Sequence, residues 1–291
     1  MKKTVVFIVC IIASIQFLPA SLHIKTNQLT LLERASGSSQ TGIAKPISVK
    51  YSQENVEYHQ ANKIEVVEGG IIRGNKNKKE LSLVFTGHDF ADGAEHILNT
   101  LDKNNVKGTF FLTGHFYRKY PIIVKELQEA GHYMGPHSDM HLLYADWENR
   151  DSTLVTKDEF IKDLQDNYDT MTEVGLKVEE KKYFMPPYEW YNQEISNWAN
   201  EMGVQIVNFT PGTTSNADYT TPDMSNYRSS KQIYESILSF EEKDTLNGMI
   251  MLIHIGTDPA RTDKLYNKLD HLIIELKNRG YKFLRIDELL Q

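Results

Sequence analysis

At 291 residues, 40% hydrophobic and 24% charged, the chain has the balance of a packed globular protein, which excludes disorder and a collagen-like build. A net charge of -7, from 32 Lys plus Arg against 39 Asp plus Glu, leaves no excess positive charge to gather phosphates, so no nucleic acid partner is expected. The single cysteine, Cys10, removes any intramolecular disulfide, Cys-based zinc site or thiol nucleophile from the rest of the chain; metal chemistry must use nitrogen and oxygen ligands.

Residues 1–20 read as an export signal. Lys2 and Lys3 precede an apolar run from Val5 to Leu18, and Leu18-Pro19-Ala20 puts a small residue at the cleavage position. The run is short for a membrane span, so a membrane is expected as a partner only if the segment is retained. Such a protein is placed in the periplasm, the cell envelope or the extracellular space of a bacterium. Residues 21–64, rich in Ser, Gln, Asn, Thr and Lys without a period of 2 or 3.6, read as a polar arm or linker, and residues 65–291 as one domain.

From Leu81 short apolar runs alternate with helical periodicity. Strands are predicted at Leu81–Thr86, Lys107–Thr113, His132–Gly135, Lys182–Met185, Val204–Phe209, Met249–His254 and Tyr281–Arg285. Helices are predicted at Ala94–Lys103, Tyr120–Ala130, Thr156–Val174, Asn192–Met202, Ser229–Phe240 and Thr262–Asn278. Gly131, Gly175, Gly203 and Gly280 follow four of these, where a left-handed residue lets the chain leave a helix. The alternation implies an α/β fold with a parallel sheet, and periodicity alone leaves a closed barrel and an open doubly wound sheet both standing. The loop Gly87–Gly93 lacks the glycine spacing of a dinucleotide or phosphate-binding loop, so no nucleotide cofactor is expected.

In parallel α/β folds chemistry gathers at the carboxyl ends of the strands. Those ends carry His88, Asp89 and Asp92; His115; His137, Asp139 and His141; Pro186-Pro187-Tyr188-Glu189-Trp190; Asn208 and Thr210; and His254, so five of the ten histidines share one predicted rim. His137 and His141, at i and i+4 in Gly135-Pro136-His137-Ser138-Asp139-Met140-His141, are expected on one face of a helical turn, where both could reach one cation about 2.0–2.1 Å from each nitrogen. Trp147, Trp190, Tyr191 and Tyr219 fall in rim loops, as exposed aromatics that could stack on sugar rings, with packing the favoured reading for each taken singly.

These motifs carry a resemblance over about Leu81 to Leu290. His137-Ser138 with His141, Met185-Pro186-Pro187-Tyr188, Leu252-Ile253-His254 and Asn105-Val106-Lys107-Gly108-Thr109-Phe110-Phe111 resemble, in order, elements of the polysaccharide deacetylase family, carbohydrate esterases of the NodB-homology type. The resemblance implies a distorted seven-stranded (β/α) barrel and a metal-dependent hydrolase, with zinc the expected metal, that removes acetyl groups from N- or O-acetylated glycan. It implies a carboxylate base, a backbone N–H near Tyr188 for the oxyanion, Leu252 beside the acetyl methyl, and His254 as the acid for the leaving group. Pro187, Glu189 and Trp190 belong to the same substrate-facing motif.

The first motif departs from the family. Its Thr-Phe-Asp-Asp-Gly, base then metal ligand, meets Phe85-Thr86-Gly87-His88-Asp89 here. A gapless match from Thr109 puts Gly87 at the base and His88 at the metal, giving a His88, His137, His141 site; a gapped match makes Asp89 the ligand or pairs Asp92-Gly93 with Asp-Gly. The base is then expected from Asp89, Asp92 or Glu189. Met185 replaces the arginine that orients the family's base. Two other readings stay open: a non-catalytic carbohydrate-binding or envelope protein on this fold, and a hydrolase of non-peptide C–N bonds in a small molecule.

Overall fold

A computed structural model describes residues 64–291, so the expected signal segment and polar arm lie outside the described residues. The described chain opens with an antiparallel pair, β1 (Glu65–Val67) and β2 (Gly70–Arg73). The βα alternation follows: β3 (Glu80–Gly87), α1 (Ala94–Lys103), β4 (Thr109–Leu112), α2 (Gly114–Lys119), α3 (Pro121–Glu129), β5 (Tyr133–Pro136), α4 (Lys157–Glu173) and β6 (Tyr183–Phe184). Then come α5 (Gln193–Glu201), β7 (Gln205–Ile206), α6 (Ser230–Asp244), β8 (Met249–His254), α7 (Leu269–Asn278), β9 (Lys282–Phe283) and α8 (Ile286–Leu289).

The strands curl into a distorted barrel. β8, β3, β4 and β5 pair in parallel, and β2 joins β8 antiparallel at Arg73 and Met249. β6 and β7 form a separate parallel pair in the gap. Met185 N–H donates to Pro136 O (3.3 Å) on one side, and Asn208 N–H to Ile71 O (2.8 Å) on the other, so the pair bridges β5 to β2. Arg73 fastens the β2–β8 seam by donating to Asn247 O (2.8 Å) and Thr245 O (3.0 Å).

Period-2 alternation with apolar residues on both faces produces two cores. Leu81, Leu83 and Phe85 of β3, Phe110 and Leu112 of β4, and Met249, Met251 and Ile253 of β8 belong to the cluster shared with the helices. Val84, Phe111, Tyr133, Met185, Ile250 and Leu252 belong to a second cluster that fills the barrel. Ile286, Leu289 and Leu290 close that cluster at the amino ends of the strands, where Ile286 N–H donates to Thr109 Oγ1 (2.8 Å). Capping boxes begin two helices, Thr156 with Glu159 on α4 and Ser229 with Gln232 on α6.

The seven strands stand where the periodicity puts them, though β6, β7 and β9 are two residues each. β9 pairs only with the start of β3, and the ring position at its edge is taken by β2, a strand too short to leave a pattern. α2 was likewise hidden by its six residues, although Thr113 Oγ1 caps it by accepting from Phe116 N–H (3.0 Å). The last long helix begins at Leu269 rather than Thr262, after a 3-10 turn at Leu265–Lys268.

Ile286→Ala should cost about 2–5 kcal/mol, the range for emptying a fully buried aliphatic site. Urea unfolding will show it as a lower midpoint with an unchanged m-value; an unshifted midpoint would mean the barrel floor does not depend on α8.

Candidate active site

A cavity of about 610 Å³ opens at the carboxyl ends of the strands, lined among others by Thr86, His88, Asp89, His137, His141, Tyr188, Glu189 and His254. The segment carrying His137 and His141 is not a helical turn as the spacing implied. It is a loop with left-handed Ser138 (φ 69°) and His141 (φ 58°), and the second histidine is carried to the first by backbone reversal.

That loop is held from below by polar groups on α4. Asp163 accepts from the N–H groups of Asp139 (3.1 Å) and Met140 (2.8 Å) and from Tyr144 OH (2.7 Å), and Asn167 Oδ1 accepts from His137 N–H (2.9 Å). Arg118 on α2 clamps Asp139 with two bonds of 2.6 and 3.0 Å. Gly114 is needed there because a Cβ would overlap Asp139 Oδ1 at 1.7 Å. Asp139, on the predicted rim, is therefore a strut beneath it.

Three imidazoles gather above this base. The His88 and His141 rings stack at 4.8 Å, and His137 meets His141 at 5.0 Å. His137 Nδ1 pairs with Met185 O (2.7 Å) and His88 Nδ1 with Thr113 Oγ1 (3.0 Å), which leaves each Nε2 open. Burial disfavours the imidazolium form, pushing His137 down to about 3 and His141 down to about 2, and lowering His88 as well. Among the described residues no group of three or more His, Cys, Asp or Glu converges tightly enough to hold an ion with side chains as they stand. The donor chemistry nevertheless fits a nitrogen-preferring divalent cation: three rings kept neutral, two with one nitrogen already spent. Thr86 Oγ1, also on the cavity wall, is buried with no partner among the described residues.

The carboxylates sort by position. Glu189 is 11% exposed, and Oε1 lies 3.9 Å from His137 Nε2. Burial pushes its carboxyl up to about 7, against the charge of His254 and with that of Asp218. Its backbone is left-handed (φ 54°), as is that of Tyr188 (φ 59°), so the Pro187–Glu189 turn aims the side chain at the cavity by a strained path. Asp89 is 53% exposed at the rim, 3.3 Å from His115 Nε2 and 3.8 Å from His88 Nε2. Asp92 stands apart, accepting from Thr257 N–H (2.8 Å) and Tyr266 OH (2.9 Å) and paired with Lys264 (2.9 Å). Burial would raise its carboxyl, but these donors win and lower it, a structural tie rather than a free base.

Thr86, Gly87 and His88 all line the cavity, but a Cβ at Gly87 would meet Ile255, Leu112 and Phe116 at 2.7–3.0 Å, on the helix side of β3. Met185 lies in the apolar barrel core, where its carbonyl rather than its side chain serves His137. Leu252 is buried in the same core two residues before His254.

The sequence reading missed Asp218, on the turn Ser215–Tyr219. His254 donates to it twice, from Nδ1 (2.6 Å) and from its backbone N–H (2.9 Å). Burial works against the His254 imidazolium, but the Asp218 carboxylate outweighs it and raises the pKa above the ordinary value. No motif marked Asp218; an acidic residue after the fifth predicted strand was the only signal. Among the aromatics, Trp147 and Tyr219 are exposed, Trp190 is half-buried with Nε1 donating to Asp146 O (3.0 Å), and Tyr191 is fully buried, contrary to expectation, because Arg150 and the β1–β2 turn cover it.

Among known proteins, residues 73–207 match the family model described as polysaccharide deacetylase. That match spans just under half of the chain. The peptidoglycan-N-acetylmuramic acid deacetylase PdaA of Bacillus subtilis is 28% identical over 221 residues, 75% of this chain and 73% of that protein. A peptidoglycan-N-acetylglucosamine deacetylase of Bacillus cereus is 26% identical over 75% of this chain and 70% of its own length. A carbohydrate esterase family 4 pseudoenzyme from Bacillus anthracis superposes with TM-score 0.62 at 23% identity, over 78% of this chain and 70% of that one, a likeness of fold.

Asp218→Asn should destabilise the protein in a pH-dependent way. Because His254 has a raised folded pKa, the pair's contribution is fully present below about 6.5 and is lost as pH rises through the folded value. Thermal unfolding of both forms across neutral pH should show the gap narrowing on the alkaline side; a constant gap would mean His254 is not protonated in the fold.

Proposed function

We propose that the protein is an exported, divalent-metal-dependent deacetylase of acetylated glycan, with peptidoglycan as the substrate class. The observation that carries this reading is the convergence on one cavity of three neutral imidazoles, a largely buried Glu189 and an Asp218-held His254. The peptidoglycan deacetylases named above support the substrate class and the hydrolytic chemistry. For export, the sequence of residues 1–20 is the support; among the described residues no helix is long and apolar enough to cross a membrane.

His88, His137 and His141 would hold the metal, with zinc best matched to three nitrogen donors. A cation bound there polarises a carbonyl and lowers the pKa of water. Glu189, rather than the rim carboxylate Asp89 or the tied Asp92, takes the proton of the attacking water, because it alone of the three is both buried and beside His137. His254 then gives its Nε2 proton to the departing amine or alkoxide, with Asp218 stabilising the imidazolium before transfer. The N–H of Tyr188, on the turn that bears Glu189, is assigned to the oxyanion. A second reading, a carbohydrate-binding protein without turnover, is favoured by Gly87 and Met185, which replace the family's base and arginine.

Purified protein should bind one zinc per chain, and a folded His137→Ala/His141→Ala double variant should bind none. Glu189→Gln should keep its metal and lose acetate release from acetylated peptidoglycan by about 10²–10⁴, with Asp89→Asn far milder. Retained stoichiometric zinc in the double variant would place the site elsewhere; full activity in Glu189→Gln would reassign the base. Zinc binding without acetate release by the wild type would favour the second reading.

A further inference from the structure

Trp147 is a large indole left 55% exposed on a loop that is pinned on several sides. Its loop folds back as a small hairpin: Ala145 and Thr153 form an antiparallel bridge, Asp146 N–H donates to Ser152 O (2.9 Å) and Leu154 N–H to Tyr144 O (2.8 Å). Asn192, at the start of α5, ties the same loop through Arg150 O (3.0 Å) and Thr153 Oγ1 (2.9 Å). The ring stacks on Trp190 (5.5 Å, 25°) and stands edge-on to Tyr188 (5.8 Å, 80°), while the Arg150 guanidinium packs on Trp190 at 4.5 Å.

Stacked on Trp190 and beside Tyr188 at the cavity wall, the exposed ring offers a flat apolar face to a ligand. Trp147 and Tyr188 line the same cavity as Glu189 and His254, so the wall they form is continuous with the reaction centre. The C–H face of a pyranose is the surface that an indole ring accepts. An exposed stack whose lower layers are immobilised also pays little conformational entropy on binding.

We propose that Trp147, supported by Trp190 and Arg150, is a stacking subsite for a sugar ring next to the acetylated one, so that the protein takes an oligosaccharide in preference to a monosaccharide. This inference rests on the glycan reading of the cavity but not on turnover. Arg150 and Trp190 are positioning residues, and Trp147 is the contact.

The test is calorimetric titration of the metal-loaded protein with the trimer and the monomer of N-acetylglucosamine, alongside acetate release from the trimer. Wild type should bind the trimer more tightly than the monomer. Trp147→Ala should weaken trimer binding about tenfold, leave monomer binding unchanged and raise KM more than it lowers kcat, with Trp147→Phe recovering most of the loss. Unfolding midpoint and zinc content should match wild type in both variants. Equal trimer affinity in Trp147→Ala, or no trimer binding by wild type, overturns the subsite. Trimer binding that depends on Trp147 without acetate release would keep the subsite and overturn the deacetylase reading.

Discussion

The grip of α4 on the loop from His137 to His141 is the constraint from which the site follows. Two left-handed residues make that loop costly on its own, and Asp163 and Asn167 offset the cost by accepting from its backbone and from Tyr144. Arg118 pairs with Asp139 beneath the loop, and burial of His137 and His141 above it disfavours their imidazolium forms. The neutrality of the imidazoles, which metal binding requires, is a product of that packing.

The loops above β3 and β6 differ in where a carboxylate can stand. β3 reaches the rim with Thr86, Gly87 and His88 all on the cavity lining, but a Cβ at Gly87 would press against Ile255, Leu112 and Phe116, so an acidic side chain at 87 would have to displace the helix-side core. A carboxylate supplied from the opposite side of the ring, after β6, needs no such rearrangement. The strained turn at Tyr188 and Glu189 is the backbone cost of that placement.

Much of this was legible in the sequence. Short apolar runs between helical stretches located the buried strands, and β8 and α1 fell on their predicted residues. The rim histidines were legible because strand ends are where such folds gather chemistry. What stayed hidden was set by tertiary partners: β2 has only four residues and exists by pairing with β8, the HxxxH spacing gives way to a left-handed loop once α4 binds it, and Asp218 reaches His254 across a separation of 36 residues. Exposure was equally beyond local pattern: Tyr191 is buried and Trp147, in a similar rim loop, is not.

The seams that complete the barrel join residues far apart in the chain. Arg73 bonds across 174 positions to Asn247, and Ile286 across 177 to Thr109, so neither the wall nor the floor of the inner core exists until distant segments meet. Loop closure must precede the reward of those contacts, which slows folding. Until then the edges of β2, β5 and β8 stand open to pairing with other chains, and the protein is at its most aggregation-prone before the last seam forms.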